Sequence, residues 1–310
     1  MFRRFFSETT MESYTDSLKR LRDALSEADT VIIGAGSGLS IAAGYTYSGE
    51  RFGRYFSDFA KKYHIKDMYS GGFYPFPDME TYWAWWSRHI WTNRYVPIPN
   101  DTYDRLYGLV KDKDYFVLTT NVDHCFQRSG FDKKRLFYTQ GDYGLLQSSN
   151  PHGASAHKTY DNEEICRKML LAQGFEIGEN NELIIPEGAD IKMRIPTELV
   201  PYCPDDGELM ITNLRVDDTF VEDEGWHRAA ERYSEFLRRH EGTKTVFLET
   251  AVGFNTPGIV KYSFWKMTGQ WPDATYACLN MGEAVAPQEI VSRSILIDED
   301  IARCVDDLSR

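Results

Sequence analysis

Six short apolar runs recur along this chain, and none of them alternates with polar residues. They are TVIIG (30–34), YFVLTTN (115–121), RLFYTQG (135–141), TVFLET (245–250), TYACLN (275–280) and SILID (294–298). A strand with one face in water reads apolar, polar, apolar; a run without alternation needs cover on both faces. Helix-length segments separate the runs. ESYTDSLKRLRDALSEA (12–28) carries Leu18, Leu21 and Leu25 at helical spacing, and residues 299–309 form an amphipathic closing helix. The pattern predicts an α/β fold built on a doubly wound parallel sheet.

Two regions break the rhythm and predict a smaller inserted lobe. Residues 45–100 are dense in aromatics, with Trp83, Trp85, Trp86 and Trp91 inside nine positions. Tryptophans so spaced suit a helix core, with the lining of an acceptor channel as the alternative. Residues 148–225 are polar, acidic and rich in turns. The expected organisation is a Rossmann-like domain from 1–147 and 226–310, with 45–100 as a helical insertion and 148–225 as a small domain.

The net charge of -12 argues against a nucleic-acid partner. Residues 30–49 carry no charge, yet Gly34, Gly36, Gly38, Gly44 and Gly49 make them a poor membrane span. MFRRFFSETTMESY has no apolar core of the length a secretory signal needs. The five cysteines form no C-x-x-C pair, and the nearest two lie 26 residues apart. Reduced thiols in a cytoplasmic protein fit that spacing.

Polar residues cluster where the apolar runs stop, and ligands bind at the carboxyl edge of such sheets. VIIGAGSGLS puts closely spaced glycines between a strand and a helix, the arrangement that brings backbone N–H groups to a pyrophosphate. Leu39 stands where a strict G-x-G-x-x-G would place its third glycine. TTNVDH presents Asn121, Asp123 and His124; YTQGDYG presents Gln140 and Asp142. LETAVGFNTPG and CLNMGE add Gly253, Asn255 and Asn280. Each segment also has a plain reading as a turn. In a doubly wound sheet all of them meet at one crevice.

In order and spacing these motifs resemble the sirtuin family over nearly the whole chain. GYTYSGERF, TTNVDHCF, YTQGDYGLLQ and NLRVDDTFVED are similar to its macrodomain-linked, class M subgroup of microbial ADP-ribosyltransferases. The resemblance implies NAD as cofactor. Gly34, Ala35 and Gly36 would then hold the pyrophosphate, and Tyr45, Tyr47 and Arg51 the loop over the nicotinamide end. Asn121 and Asp123 would stand beside nicotinamide and its ribose, with Gln140 as third catalytic residue. Gly253, Phe254, Asn255, Asn280 and Met281 would grip the adenosine half. The implied acceptor is a lipoylated protein like the glycine-cleavage H protein, and the implied partner a macrodomain ADP-ribosyl hydrolase.

Two departures bear on activity. Deacylating sirtuins carry a histidine general base where this chain has Gln140. A glutamine amide orients a hydroxyl but takes no proton, and losing a positioned base costs about 10²–10⁴-fold. Transfer of ADP-ribose to a protein is therefore favoured over lysine deacylation. A weak deacylase or NAD glycohydrolase, and an NAD- or ADP-ribose-binding sensor without turnover, are the alternatives. The family's paired zinc cysteines are also missing: Cys203 remains, Asp206 replaces its partner, and His152 and His157 stand where the other pair belongs. That set predicts no metal.

Overall fold

The computed structural model describes residues 12–254 and 256–310. Asn255 and the first eleven residues of the N-terminal stretch discussed above lie outside it. Strands β1 (Thr30–Ala35), β2 (Asp114–Thr119) and β3 (Leu136–Tyr138) come first. They are followed by β4 (Gly141–Ser148), β5 (Tyr160–Asp161), β6 (Glu176–Ile177), β7 (Leu183–Ile184) and β8 (Met210–Leu214). The chain ends with β9 (Thr245–Thr250), β10 (Thr275–Leu279) and β11 (Ser294–Ile297).

Six strands form one parallel sheet in the order β11-β10-β9-β1-β2-β3. The chain moves outward from β1 to β3, then returns to the other side of β1 with β9. Its winding reverses between β1 and β9, which opens a crevice at their carboxyl ends. The absence of alternation has a direct cause: both faces of each central strand are buried. Val31 and Ile33 point into one core with the helices Tyr14–Glu27, Thr102–Val110 and Ile301–Ser309. Ile32 points into the other, with the helices Glu224–His240 and Lys261–Gln270.

Gly34 is needed for that second packing. A Cβ there would sit 2.3 Å from Val260 Cγ1 and 2.5 Å from Phe264 Cε2. Gly34→Ala is expected to lower stability by about 1–3 kcal/mol through overpacking, read as a lower urea midpoint.

The smaller lobe is one core built from both insertions. The helices Glu50–Tyr63 and Met79–Ile90, with the turn Trp91–Tyr95 that follows the second, bury Phe56, Phe59, Trp83, Trp85 and Trp91 against Cys166, Met169, Leu170 and Met210. Its sheets are β5-β4-β8 and the hairpin β6-β7. The antiparallel part starts at Gly141, ahead of residue 148, because β4 pairs with β8 and not with the parallel sheet. Arg88 lies inside this lobe, donating to Asp58, Gln173 and the Tyr55 and Lys192 carbonyls at 2.8–2.9 Å. Among the described residues no helix is long and apolar enough to cross a membrane.

Candidate active site

A crevice of about 370 Å³ lies where the sheet edge meets the smaller lobe. Gly36 and Ser37 after β1, Thr120 to Val122 after β2, and Val252, Gly253 and Thr256 after β9 form its sheet side. Gln140, Tyr143 and Leu214 to Val216 close one end. Tyr47, Tyr69, Phe73, Trp86 and His89 form an aromatic wall.

Backbones approach closely at the floor. A Cβ on Gly36 would meet the Ala251 carbonyl oxygen at 2.5 Å and Val252 Cα at 2.9 Å, so only glycine lets the two loops touch. The Gly36 N–H is already spent on the Thr250 carbonyl, at 3.1 Å. Any backbone cradle therefore starts at Ser37. Asn121 is buried and clamped by the same turn: its Nδ2 donates to the Gly36 carbonyl at 3.0 Å, to Ser40 Oγ at 3.2 Å and to the Tyr103 hydroxyl at 3.3 Å. A carbonyl only accepts, so the amide orientation is fixed and Oδ1 is left for the crevice.

Asp123 does not reach the crevice. Its carboxylate lies beneath the floor, accepting from Ser40 Oγ at 2.5 Å and from the Cys125 N–H at 3.0 Å. The local turn accounts for this: the Asp123 carboxylate bends toward the N–H of Cys125, the first residue of the short helix Cys125–Arg128, while Asn121 follows the end of β2. Through Ser40 it helps to hold Asn121. His124 is also turned away, its Nδ1 2.8 Å from Asp142. Burial opposes ionisation of Asp142, but hydrogen bonds and charge from His124 and Arg94 outweigh it and hold its carboxyl below the usual range.

Gln140 lines the crevice, with Thr139 Oγ1 at 3.3 Å as its side-chain partner. Gly34 and Ala35 are spent on packing inside the sheet and do not line it. Tyr45 and Arg51 face a different cavity of about 710 Å³. Arg51 folds inward onto the Thr46 and Thr92 carbonyls and Asn93 Oδ1, and desolvation lowers its pKa. Tyr47, on the same loop, does line the crevice, and burial pushes its hydroxyl up to about 12.

Of the adenosine-side residues, Gly253 lines the crevice. Asn280 acts from behind, donating Nδ2 to the Val252 carbonyl at 3.2 Å. Phe254 sits under the Lys261 ammonium, 5.2 Å from ring centroid to Nζ, and Met281 is exposed; neither lines the cavity.

In the small domain Asp206 accepts from Ser155 and from the Glu208 N–H, and the Ser155 bond first of all draws its pKa down to about 2. Cys203 Sγ donates to the Tyr160 hydroxyl. Among the described residues no group of three or more His, Cys, Asp or Glu is placed to hold a metal ion.

Sequence reasoning missed His89 and Tyr143, and held Trp86 as channel lining only as the alternative to helix core. His89 Nε2 lies 2.9 Å from the Tyr143 hydroxyl, and Tyr143 is hydrogen-bonded in turn to Tyr47. Burial, then the nearby Arg51 charge, holds the imidazole down to about 3, so it is neutral and too weak to act as a general base. The i, i+3 spacing of Trp86 and His89 could have placed them on one helix face. Nothing in the string says that this face looks into a crevice.

No protein-family model matches the chain. It is 34% identical over 296 residues to a protein ADP-ribosyltransferase of Staphylococcus aureus, covering 95% of this chain and 88% of that one. The chain belongs to the sirtuin-like protein ADP-ribosyltransferases. A probable bifunctional ADP-ribose hydrolase/ADP-ribosyltransferase of Fusarium oxysporum f. sp. cubense is 29% identical over 306 residues, covering 93% of this chain and 47% of that longer protein. The fold of this family member matches a solved Sir2 homologue–NAD complex, with TM-score 0.54 at 16% identity over 94% of this chain and 92% of that one. An ADP-ribose complex of a mutant Sir2 homologue matches equally, with TM-score 0.54 at 16% identity over 94% of this chain and 95% of that one.

Proposed function

We propose that this crevice binds NAD and transfers its ADP-ribosyl group to a side chain of a protein acceptor. The observation that carries the reading is Gln140. It lines the crevice where family deacylases keep a histidine, and the one imidazole on the described lining, His89, is too weak a base to replace it. NAD supplies a glycosidic bond whose cleavage releases nicotinamide and leaves C1′ open to a nucleophile. The bond from the acceptor atom to C1′ forms, the bond to nicotinamide breaks with its electron pair, and the acceptor's proton leaves to solvent.

The residues present fit that donor. Ser37 lines the crevice just past the spent Gly36 N–H, Asn121 Oδ1 is left over after its Nδ2 is clamped, and Gln140 can orient a ribose hydroxyl. The lining has no carboxylate, so it does not repel a pyrophosphate. For the acceptor we propose a lipoylated protein like the glycine-cleavage H protein, and for the reverse reaction a macrodomain hydrolase. The Fusarium relative, whose name joins hydrolase and transferase in one chain, supports that pairing.

The test is to incubate the protein with labelled NAD and candidate acceptors, lipoylated and unmodified, and follow label on protein, free ADP-ribose and acyl release. Label on the acceptor is expected; label on no protein would overturn the reading. Gln140→His is expected to leave acyl release near background, because the Arg51 side chain faces another cavity. Acyl release measured on an acetylated peptide checks this.

A further inference from the structure

Gln140 has little of its own to aim it. Its amide has Thr139 Oγ1, at 3.3 Å, as side-chain partner, so its direction depends on the backbone to either side. Before it, the Thr139 N–H donates to the Thr119 carbonyl at 2.9 Å and fixes the strand end. After it, the smaller lobe holds the chain twice. The Arg215 N–H donates to the Gln140 carbonyl at 3.0 Å. Gly141, with φ 97°, lies so close to β8 that a Cβ would sit 1.9 Å from the Asn213 carbonyl oxygen and 3.1 Å from Phe220 Cε2.

Arg215 and Phe220 belong to one loop, residues 215–221, which leaves β8 at the crevice and folds back. Arg215 and Val216 line the crevice, and the Arg215 guanidinium lies 5.0 Å over the Phe220 ring. Phe220 is therefore held between that guanidinium and Gly141. Residues 215–218 are exposed, so burial does not hold the outward half of the loop. The residues on either side of Phe220 are tied down by one buried side chain. Gln147, on β4, donates Nε2 to the Thr219 carbonyl at 2.8 Å and accepts the Val221 N–H on Oε1 at 2.9 Å. Asn213 completes the tie: its Nδ2 donates to Gln147 Oε1 at 2.8 Å and to the Val221 carbonyl at 3.0 Å. A carbonyl only accepts and an N–H only donates, so both amides have one orientation.

Resting on the transferase reading, we propose that Gln147 is a positioning residue for transfer. Through Thr219, Val221 and Phe220 it sets Gly141, and with it the Gln140 amide, against the crevice. Gln147 does not line the crevice itself, so its effect on the reaction passes through Gln140. Losing its amide leaves the Thr219 carbonyl and the Val221 N–H without that partner and loosens Phe220 from Gly141.

Label transfer is measured on the full chain with Gln147→Met, which keeps the side-chain length, alone and in a Gln140→Ala background. In the native background kcat is expected to fall about tenfold, since a small misplacement of a reacting geometry is costly. KM for NAD is expected to change less than about twofold. With Gln140→Ala the same substitution is expected to change kcat less than about twofold, because the group it positions is gone. A fall as large in the second background as in the first, or an unchanged kcat in the first, overturns the proposal. A second readout needs no turnover: the ¹⁵N–¹H side-chain amide signal of Gln140, assigned by its loss in Gln140→Ala. It is expected to shift in Gln147→Met. An unshifted signal overturns the proposal, including where Gln140→Ala transfers too slowly to measure. Should Gln147→Met not fold, Phe220→Leu in the half-buried part of the loop takes its place, with the same outcomes deciding. If the native chain transfers no label, the transferase reading falls by itself, and the amide signal still decides whether Gln147 sets Gln140.

Discussion

Replacing Asn121 by alanine is expected to cut transfer of labelled ADP-ribose about 10²–10³-fold while the chain stays folded. The side chain sits at the carboxyl end of β2 and is fixed from three sides by the Gly36 carbonyl, Ser40 and Tyr103. Ser40 is itself held by the buried Asp123. Such a clamp sets Oδ1 in place before any ligand arrives, so no reorganisation is needed during the reaction. Losing the Nδ2 bonds costs about 1–3 kcal/mol of stability, less than the roughly 5–15 kcal/mol that holds a typical domain folded. Asn121→Asp is a sharper test. It keeps the size but cannot donate to the Gly36 carbonyl, so it should fall as far as the alanine variant. Transfer at the native rate in either variant, measured as label on the acceptor, would remove this crevice from the mechanism.

The parallel sheet was legible because its cause is local. A strand buried on both faces must be apolar at every position, and Val31, Ile32 and Ile33 show this directly: adjacent residues enter opposite cores. The crevice was legible for the related reason that polar residues following such strands converge on one edge. What escaped was side-chain direction. Asn121 and Asp123 are two apart and look equivalent in TTNVDH, yet the first lines the cavity and the second is drawn under it by the Cys125 N–H. Gly34 and Gly36 are likewise two apart. The first makes room for Val260 and Phe264, and the second lets two loops meet. Arg51 went to another cavity because its guanidinium found three acceptors inside its own lobe. The aromatic wall was left between two readings, helix core and channel lining, since the tryptophan-rich helix buries nearly every face and only Trp86 and His89 break through.

The largest expected effect on stability lies behind the crevice, at a buried ion pair. Lys261 and Glu249 are both fully buried, with Nζ 2.5 Å from Oε1. The carboxylate also accepts from the Tyr276 hydroxyl at 2.5 Å and from Cys278 Sγ at 3.5 Å, so its charge is met on both oxygens. Lys261 opens the helix Lys261–Gln270, where a cation opposes the helix dipole. Its place is explained by Glu249 and not by the helix. Lys261→Met keeps the length of the side chain but leaves a buried carboxylate without a counter-charge. A loss of about 3–5 kcal/mol is expected, read as a lower urea midpoint. Adding Glu249→Gln should recover part of it, since the orphaned charge disappears, and the two effects should not add. The pair also spans the loop from Ala251 to Val260, which supplies Val252, Gly253 and Thr256 to the crevice and takes an unusual positive φ of 47° at Ala251. Amide exchange in that loop should therefore rise in Lys261→Met before exchange in β1 and β2 does. Uniform exchange across the whole sheet would mean that the pair supports the fold as a unit and does not position the loop.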